Sequence, residues 1–194
     1  MNSLVRDVKI DNAVSATDFR DAMRNLAGGV SVITVGRGKD TSGMTVTSVS
    51  SLSIEPASLI VCINRQSSSW PLLRQHGVFG VNILTSDQTD VAERFTGKGG
   101  LKGSARFAGA TWTTLASGVP LLADALVAID CEVEHVVERH SHAIVIGRVL
   151  ALQSGPGNGA LTYWDGKYVA VNRQDDTTGL IRADVPTARA LREV

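Results

Sequence analysis

The sequence predicts a mainly β protein, built as a closed or nearly closed antiparallel barrel with a few flanking helices. Three observations predict it. Seven short segments rich in β-branched residues recur along the chain, punctuated by Gly, Pro, Asn or Asp: VSVITV (30–35), MTVTSV (44–49), SLIVCIN (58–64), FGVNIL (79–84), LVAIDCEVEHVV (126–137), AIVIGRVLAL (143–152) and KYVAV (167–171). Helical patterns are few and do not alternate with the strands as repeated βαβ units would. No GxGxxG follows a strand, which argues against a Rossmann sheet.

Taken in order, residues 17–27 read as the first helix. Thr17 or Asp18 is placed to cap it, and Phe19, Met23 and Leu26 fall at i, i+4 and i+7 as one apolar stripe. Gly28-Gly29 reads as its stop. The turn GRGKDTSG (36–43) joins the first two strands. SWPLLRQHG (69–77) and DQTDVAERFTG (87–97) read as helices, and SGPGNG (154–159) as a loop. One domain is expected over 1–171. The tail 172–194 is polar and charged, ends in ADVPTARALREV, and reads as a short amphipathic helix or a frayed end of no assigned role.

Composition sets outer limits. The chain has 194 residues, 43% hydrophobic and 20% charged, with a formal net charge of zero. That is enough for one domain with a proper core, and no global field draws in nucleic acid or an anionic membrane. No apolar run reaches the roughly 18 residues of a membrane helix, and MNSLVRDVKID lacks a secretory apolar segment. Cys62 and Cys131 both lie in apolar runs, which fits reduced, buried thiols in a cytoplasmic protein. Without CxxC or a clustered Cys/His pair, no metal site is expected. His76 and His135 read as structural or solvated.

The stretch SGMTVTSVSSLS (42–53) carries seven hydroxyls in twelve residues. On a strand, Met44, Val46, Leu52 and Ile54 share one face, and Ser48 and Ser50 interrupt that same face unless a bulge at Val49 shifts the register. Buried hydroxyls need partners, either neighbouring backbone or a ligand with many acceptors. A second polar cluster, NRQSSSW (64–70), runs from a strand end into a helix start, with Ser69 near the cap and Pro71 near the first turn. A third, ERFTGK (93–98), sets two cations and a glycine beside Phe95.

These clusters, in this order, resemble the flavin reductase-like family, the small reductase components of two-component flavin monooxygenases. The resemblance rests on Gly43-Met44-Thr45 through Ser53, Asn64 with Ser67, Phe79 through Leu84, Arg94-Phe95-Thr96-Gly97, His142 through Val149, and the closing segment Leu161 to Tyr168. It covers roughly residues 17–171. It implies a split β-barrel that binds FMN or FAD, as a homodimer with the flavin near the subunit interface. It implies that Thr47, Ser48, Val49 and Ser50 line the isoalloxazine or ribityl chain, with Cys62, Ile63 and Asn64 along the ring edge. Ser67, Ser69, Arg94 and Lys98 are implied for the flavin phosphate, with Phe95 and Gly97 shaping that wall. His142 is the residue expected against the nicotinamide, with Trp164 and Tyr168 at the pocket mouth.

The implied activity is hydride transfer from NADH or NADPH to the flavin, which a separate oxygenase component then receives. Such a transfer needs orientation and dry walls but no protein nucleophile. Two other readings belong beside it: a non-catalytic flavin-binding or redox-sensing module, and an oxidase of the pyridoxamine-phosphate type. The second lacks a basic cluster suited to a pyridoxal phosphate.

Overall fold

The computed structural model describes residues 14–157 and 159–172. The expected tail, from residue 173, lies outside them. Three helices, α1 (Ala16–Met23), α2 (Trp70–His76) and α3 (Thr89–Phe95), accompany twelve strands. These are β1 (Gly28–Gly29), β2 (Ser31–Arg37), β3 (Asp40–Val46), β4 (Ser50–Ile54), β5 (Ala57–Asn64), β6 (Val78–Ile83), β7 (Trp112–Thr113), β8 (Leu121–Leu122), β9 (Val127–Arg139), β10 (His142–Ser154), β11 (Gly159–Trp164) and β12 (Lys167–Asn172). The protein is mainly β, as the strand spacing predicts.

Seven strands form one sheet in the order β3-β2-β6-β9-β10-β5-β4, every neighbouring pair antiparallel. A second sheet runs β1-β11-β12 and a third pairs β7 with β8. The large sheet is not closed, because β3 and β4 are its two edges and no ladder joins them. Yet Thr47, Ser48 and Val49 alone carry the chain from one edge to the other. Seven flat strands would set those edges about 29 Å apart, whereas the link from Val46 to Ser50 reaches about 14 Å at most. The sheet therefore curls until its edges nearly meet and stays open at that seam.

At Val30 the chain passes from the small sheet into the large one. Val30 N–H donates to Leu161 O (2.9 Å), Leu161 N–H to Leu84 O (3.1 Å), and Leu84 N–H to Val30 O (3.1 Å). This ring of bonds satisfies buried backbone where the sheets part. Two apolar clusters fill the interior: Ile33, Val35, Val61, Ile63, Phe79 and Val145 on the concave face, and Val30, Leu84, Phe95, Leu121 and Leu161 around the junction.

Several expectations are corrected. The cap of α1 is Ser15, whose hydroxyl accepts from Asp18 N–H, and the helix ends at Met23. Ser15, Thr17 and Asp18 are all cap formers, so the sequence leaves the choice to the backbone. Gly28-Gly29 does not stop the helix; it is a strand paired with Tyr163 and Thr162. The first hairpin turns tightly at Gly38-Lys39, since Arg37 pairs with Asp40. The hydroxyl stretch is not one strand with a bulge at Val49. It breaks at 47–49, and all of Ser50–Ile54 is exposed, so Ser50 lies on no buried apolar face.

Candidate functional site

The outer face of the curled sheet is set by strand parity. On β5, Leu59, Val61 and Ile63 point into the core, which leaves Ile60, Cys62 and Asn64 on the outside. On β10, Ala143, Val145 and Gly147 are buried, which leaves His142, Ile144 and Ile146 outside. The ladder aligns these sets, His142 with Asn64, Ile144 with Cys62, and Ile146 with Ile60. The result is an open apolar surface with an imidazole and an amide at one end. Ile144 is 38% exposed although an isoleucine prefers burial. Ile144 and Ile60 look like ordinary core residues in the sequence. Their alternation with His142 and Cys62 was the signal that could have found them.

Ser48 closes the same surface. Its hydroxyl donates to Cys62 O (3.0 Å) and accepts from Cys62 N–H (3.2 Å), filling the place of the next backbone rung after the Ser50–Ile60 pair. Ser48, Cys62, Asn64 and His142 thus share this face, whereas Val49 packs against the core. Thr47 stands beside them, exposed and packed on Gly28, where a Cβ would lie 3.0 Å from Thr47 Cβ. Ser50 is exposed, and its hydroxyl bonds only to its neighbour's carbonyl at 3.3 Å. Ile63 is fully buried, so only its backbone reaches the outer side.

The loop after β5 is shaped by Asn64, whose side-chain oxygen accepts from Gln66 N–H (2.9 Å) while its carbonyl accepts from Ser67 N–H (3.0 Å). Ser67 Oγ is buried with no hydrogen-bond partner among the described residues. A buried orphan hydroxyl is costly, and it suits an acceptor-rich ligand such as a phosphate. Ser69 is the N-cap residue of α2, as its position predicts, but its hydroxyl makes no cap bond. It is fully buried and lies 2.9 Å from Ser42 Oγ, tying the loop to β3.

Around α3 the expected residues serve different ends. Arg94 donates from Nε to Arg106 O and from Nη2 to Ala105 O, both at 3.1 Å, and its Nη1 has no acceptor among the described residues. Phe95 is 1% exposed and packs with Phe107 and Trp112 at 5.1 and 5.6 Å. Gly97 has φ +82°, and Lys98 is exposed. No hydrogen bond among the described residues joins Arg94 or Lys98 to Ser67 or Ser69. Arg106 went unnoticed in the sequence. It is 8% exposed, donates from Nε to Leu101 O (3.0 Å) and from Nη1 to Gly43 O, and has no carboxylate partner among the described residues. Burial lowers its pKa.

Trp164 and Tyr168 lie on the β11–β12 hairpin, next to Thr47 through the β1 ladder. Trp164 is 49% exposed, whereas Tyr168 packs against the core. Burial first, then Glu93 and Tyr163, raise the Tyr168 pKa. A cleft of about 170 Å³ beside α3 shares Arg94 and Phe95 with the expected set but none of the residues of the outer sheet face. The outer sheet face thus offers an open apolar surface edged by the half-buried Ser48 hydroxyl, Asn64 and His142, and the loop after β5 adds the Ser67 hydroxyl. No group of three or more His, Cys, Asp or Glu able to hold a metal occurs among the described residues. None of their helices is long and apolar enough to cross a membrane.

The chain is similar to known proteins over most of its length. The chain is 39% identical over 166 residues to a protein of Methylorubrum extorquens (strain PA1) named FMN reductase (NADH) RutF 2, an alignment covering 84% of this chain and 94% of that one. Among solved structures it is similar to BorF, the flavin reductase component of a bacterial two-component tryptophan halogenase. That likeness has TM-score 0.75 and 28% identity, over 81% of this chain and 99% of BorF. It is also similar to the styrene monooxygenase flavin reductase of Pseudomonas putida S12, with TM-score 0.70 and 30% identity, over 79% of this chain and 96% of that one. A family model described as a flavin reductase like domain spans residues 23–172. From Met23 to the end of β12, the chain belongs to the flavin reductase-like family.

Proposed function

We propose that the chain is an NADH-dependent FMN reductase that supplies reduced flavin to a separate monooxygenase. The observation that carries this reading is the outer sheet face, where His142, Asn64, Ile144 and Cys62 stand in register with Ser48 bonded across to Cys62. Relatives named as NADH-dependent FMN reductases support the choice of FMN and NADH. Neighbours that are the flavin reductase component of a two-component tryptophan halogenase and the flavin reductase of a styrene monooxygenase support the partner oxygenase.

A bound flavin would supply the hydride-accepting chemistry, with the reduced nicotinamide as donor. The chain's own part is orientation and exclusion of water. Ile60, Ile144 and Cys62 supply an apolar floor. Ser48 and Asn64 would hold the polar ring edge, and Ser67 and Arg94 are the candidates for the phosphate. His142, whose Nδ1 lies 2.9 Å from Ser141 Oγ, keeps its ring steady beside the nicotinamide.

The open seam between β3 and β4 suits a split β-barrel. A homodimer follows from the same reading. Phe19 and Met23 on α1 and Leu26 just beyond its end are 61%, 44% and 65% exposed, and Trp164 and Val171 add to the exposed apolar surface. Monomers rarely leave such patches uncovered. A cytoplasmic setting is supported by two free cysteines on opposite faces of the sheet.

The test is to mix purified protein with NADH or NADPH and with FMN or FAD, and to follow loss of reduced nicotinamide. The reading predicts turnover that requires added flavin and is fastest with NADH and FMN. Tight yellow protein without turnover would identify a binding module instead.

A further inference from the structure

The hairpin that presents His142 is fastened by side chains that no hydride-transfer role requires. The turn between β9 and β10 places His140 at φ 50°, a left-handed conformation uncommon for a residue with a side chain. Arg65, the first residue after β5, holds that turn twice. Its N–H donates to Ser141 O (2.9 Å) and its Nη1 to His140 O (3.1 Å). Its Nη2 also meets Glu138 Oε2 at 2.6 Å. The other oxygen of Glu138 accepts from Arg74 Nη1 on α2 at 2.9 Å, and the Arg74 guanidinium lies 5.8 Å from the Trp70 ring centroid. One carboxylate therefore spans two cations from two elements, joining the end of β9 to the loop 64–70 and to α2.

We propose that Glu138, through Arg65 and Arg74, is a positioning residue for the hydride donor: it locks the His140–Ser141 turn onto the end of β5 so that His142 stays in register with Asn64. Single exposed ion pairs contribute little, but a shared carboxylate with two fixed guanidinium partners forms a network. Its value here is geometric. Without the Glu138 charge, Arg65 and Arg74 repel each other, and Arg65 loses the anchor that aims its Nη1 at His140 O. The site suffers at the nicotinamide end, while the Ser48–Cys62 bonds on the flavin side, remote from the network, are kept. The inference rests on the reading of His142 as the nicotinamide contact.

The experiment compares Glu138→Gln, Arg74→Gln, His142→Ala and the Glu138→Gln/His142→Ala double variant. Two readouts are used: amide hydrogen exchange at 140–142 without ligands, and steady-state kinetics in NADH at saturating FMN. Glu138→Gln is expected to exchange at least fivefold faster at these amides and to raise KM for NADH by about three- to tenfold. Its kcat and FMN dissociation constant should stay within twofold of the parent. Arg74→Gln should shift both readouts in the same direction, and the double variant should be no worse in KM than His142→Ala alone. Unchanged exchange or unchanged KM in Glu138→Gln, with KM raised in His142→Ala, overturns the inference and leaves the reading of His142 standing. A normal KM in His142→Ala removes that reading, and the inference falls with it.

Discussion

The hydroxyl of Ser48 bonds both the carbonyl and the N–H of Cys62, at 3.0 and 3.2 Å, standing in for a missing backbone rung beside β5. Removing it leaves two backbone groups of Cys62 without those partners. Ser48→Ala is expected to cost about 1–3 kcal/mol in urea unfolding and to raise the FMN dissociation constant. Ser50→Ala, whose hydroxyl bonds only to its neighbour, should leave stability within about 0.5 kcal/mol. Equal effects of the two changes would remove the special standing of Ser48.

Gly43 lies where β3 passes under α3. A Cβ there would sit 2.6 Å from Ile33 O and 2.7 Å from Phe95 Cε1. Gly43→Ala is expected to destabilise by about 1–3 kcal/mol. Adding Phe95→Leu should not restore the loss, because the backbone oxygen remains in the way. Thermal unfolding of the single and double variants decides this.

Arg106 joins the 97–107 segment to Gly43 by donating to Gly43 O and Leu101 O from within the protein. Arg106→Met removes both bonds and is expected to lower stability by about 1–3 kcal/mol net of the relief from burying a charge. Arg106→Lys should rescue little, since an ammonium cannot reproduce the planar fork. Unfolding midpoints equal to the parent for both variants would show that the buried guanidinium holds nothing.

Burial, and secondarily Asp130, push the Cys131 thiol up to about 12. The unfolded thiol ionises near 8.5, about the ordinary value. The raised folded value stabilises the protein fully below that point, and the contribution is lost as pH rises toward about 12. Cys131→Ala should therefore be less stable at pH 7 but show a shallower fall in stability above pH about 9. Parallel curves for parent and variant would contradict the assignment.

Much of this molecule was readable in advance. The β-branched runs of β2, β5 and β6 name their own strands, and Ser69 before Trp70-Pro71 marks the start of α2. What escaped has physical reasons. Gly28-Gly29 has poor strand propensity and is a strand only because Tyr163 and Thr162 pair with it. The face of Ser50–Ile54 depends on the corner at 47–49, which no parity rule carries across. Arg94 reads as a free cation, but two of its nitrogens are taken by carbonyls of residues whose nearness only the fold reveals. Ile144 looks like core until the ladder with Cys62 turns it outward.

The two thiols allow the central claim to be measured directly. Cys131 is fully buried on the core side, whereas Cys62 is half-buried on the outer face beside Ser48 and Ile144. In native protein a thiol reagent should modify Cys62 alone, with Cys131 reacting only after unfolding. If the outer face of β5 and β10 holds the flavin, saturating FMN should slow alkylation of Cys62 by at least about tenfold, followed by mass spectrometry of the labelled peptides. An unchanged rate at saturating FMN, in protein that reduces FMN with NADH, would place the flavin elsewhere and contradict the account.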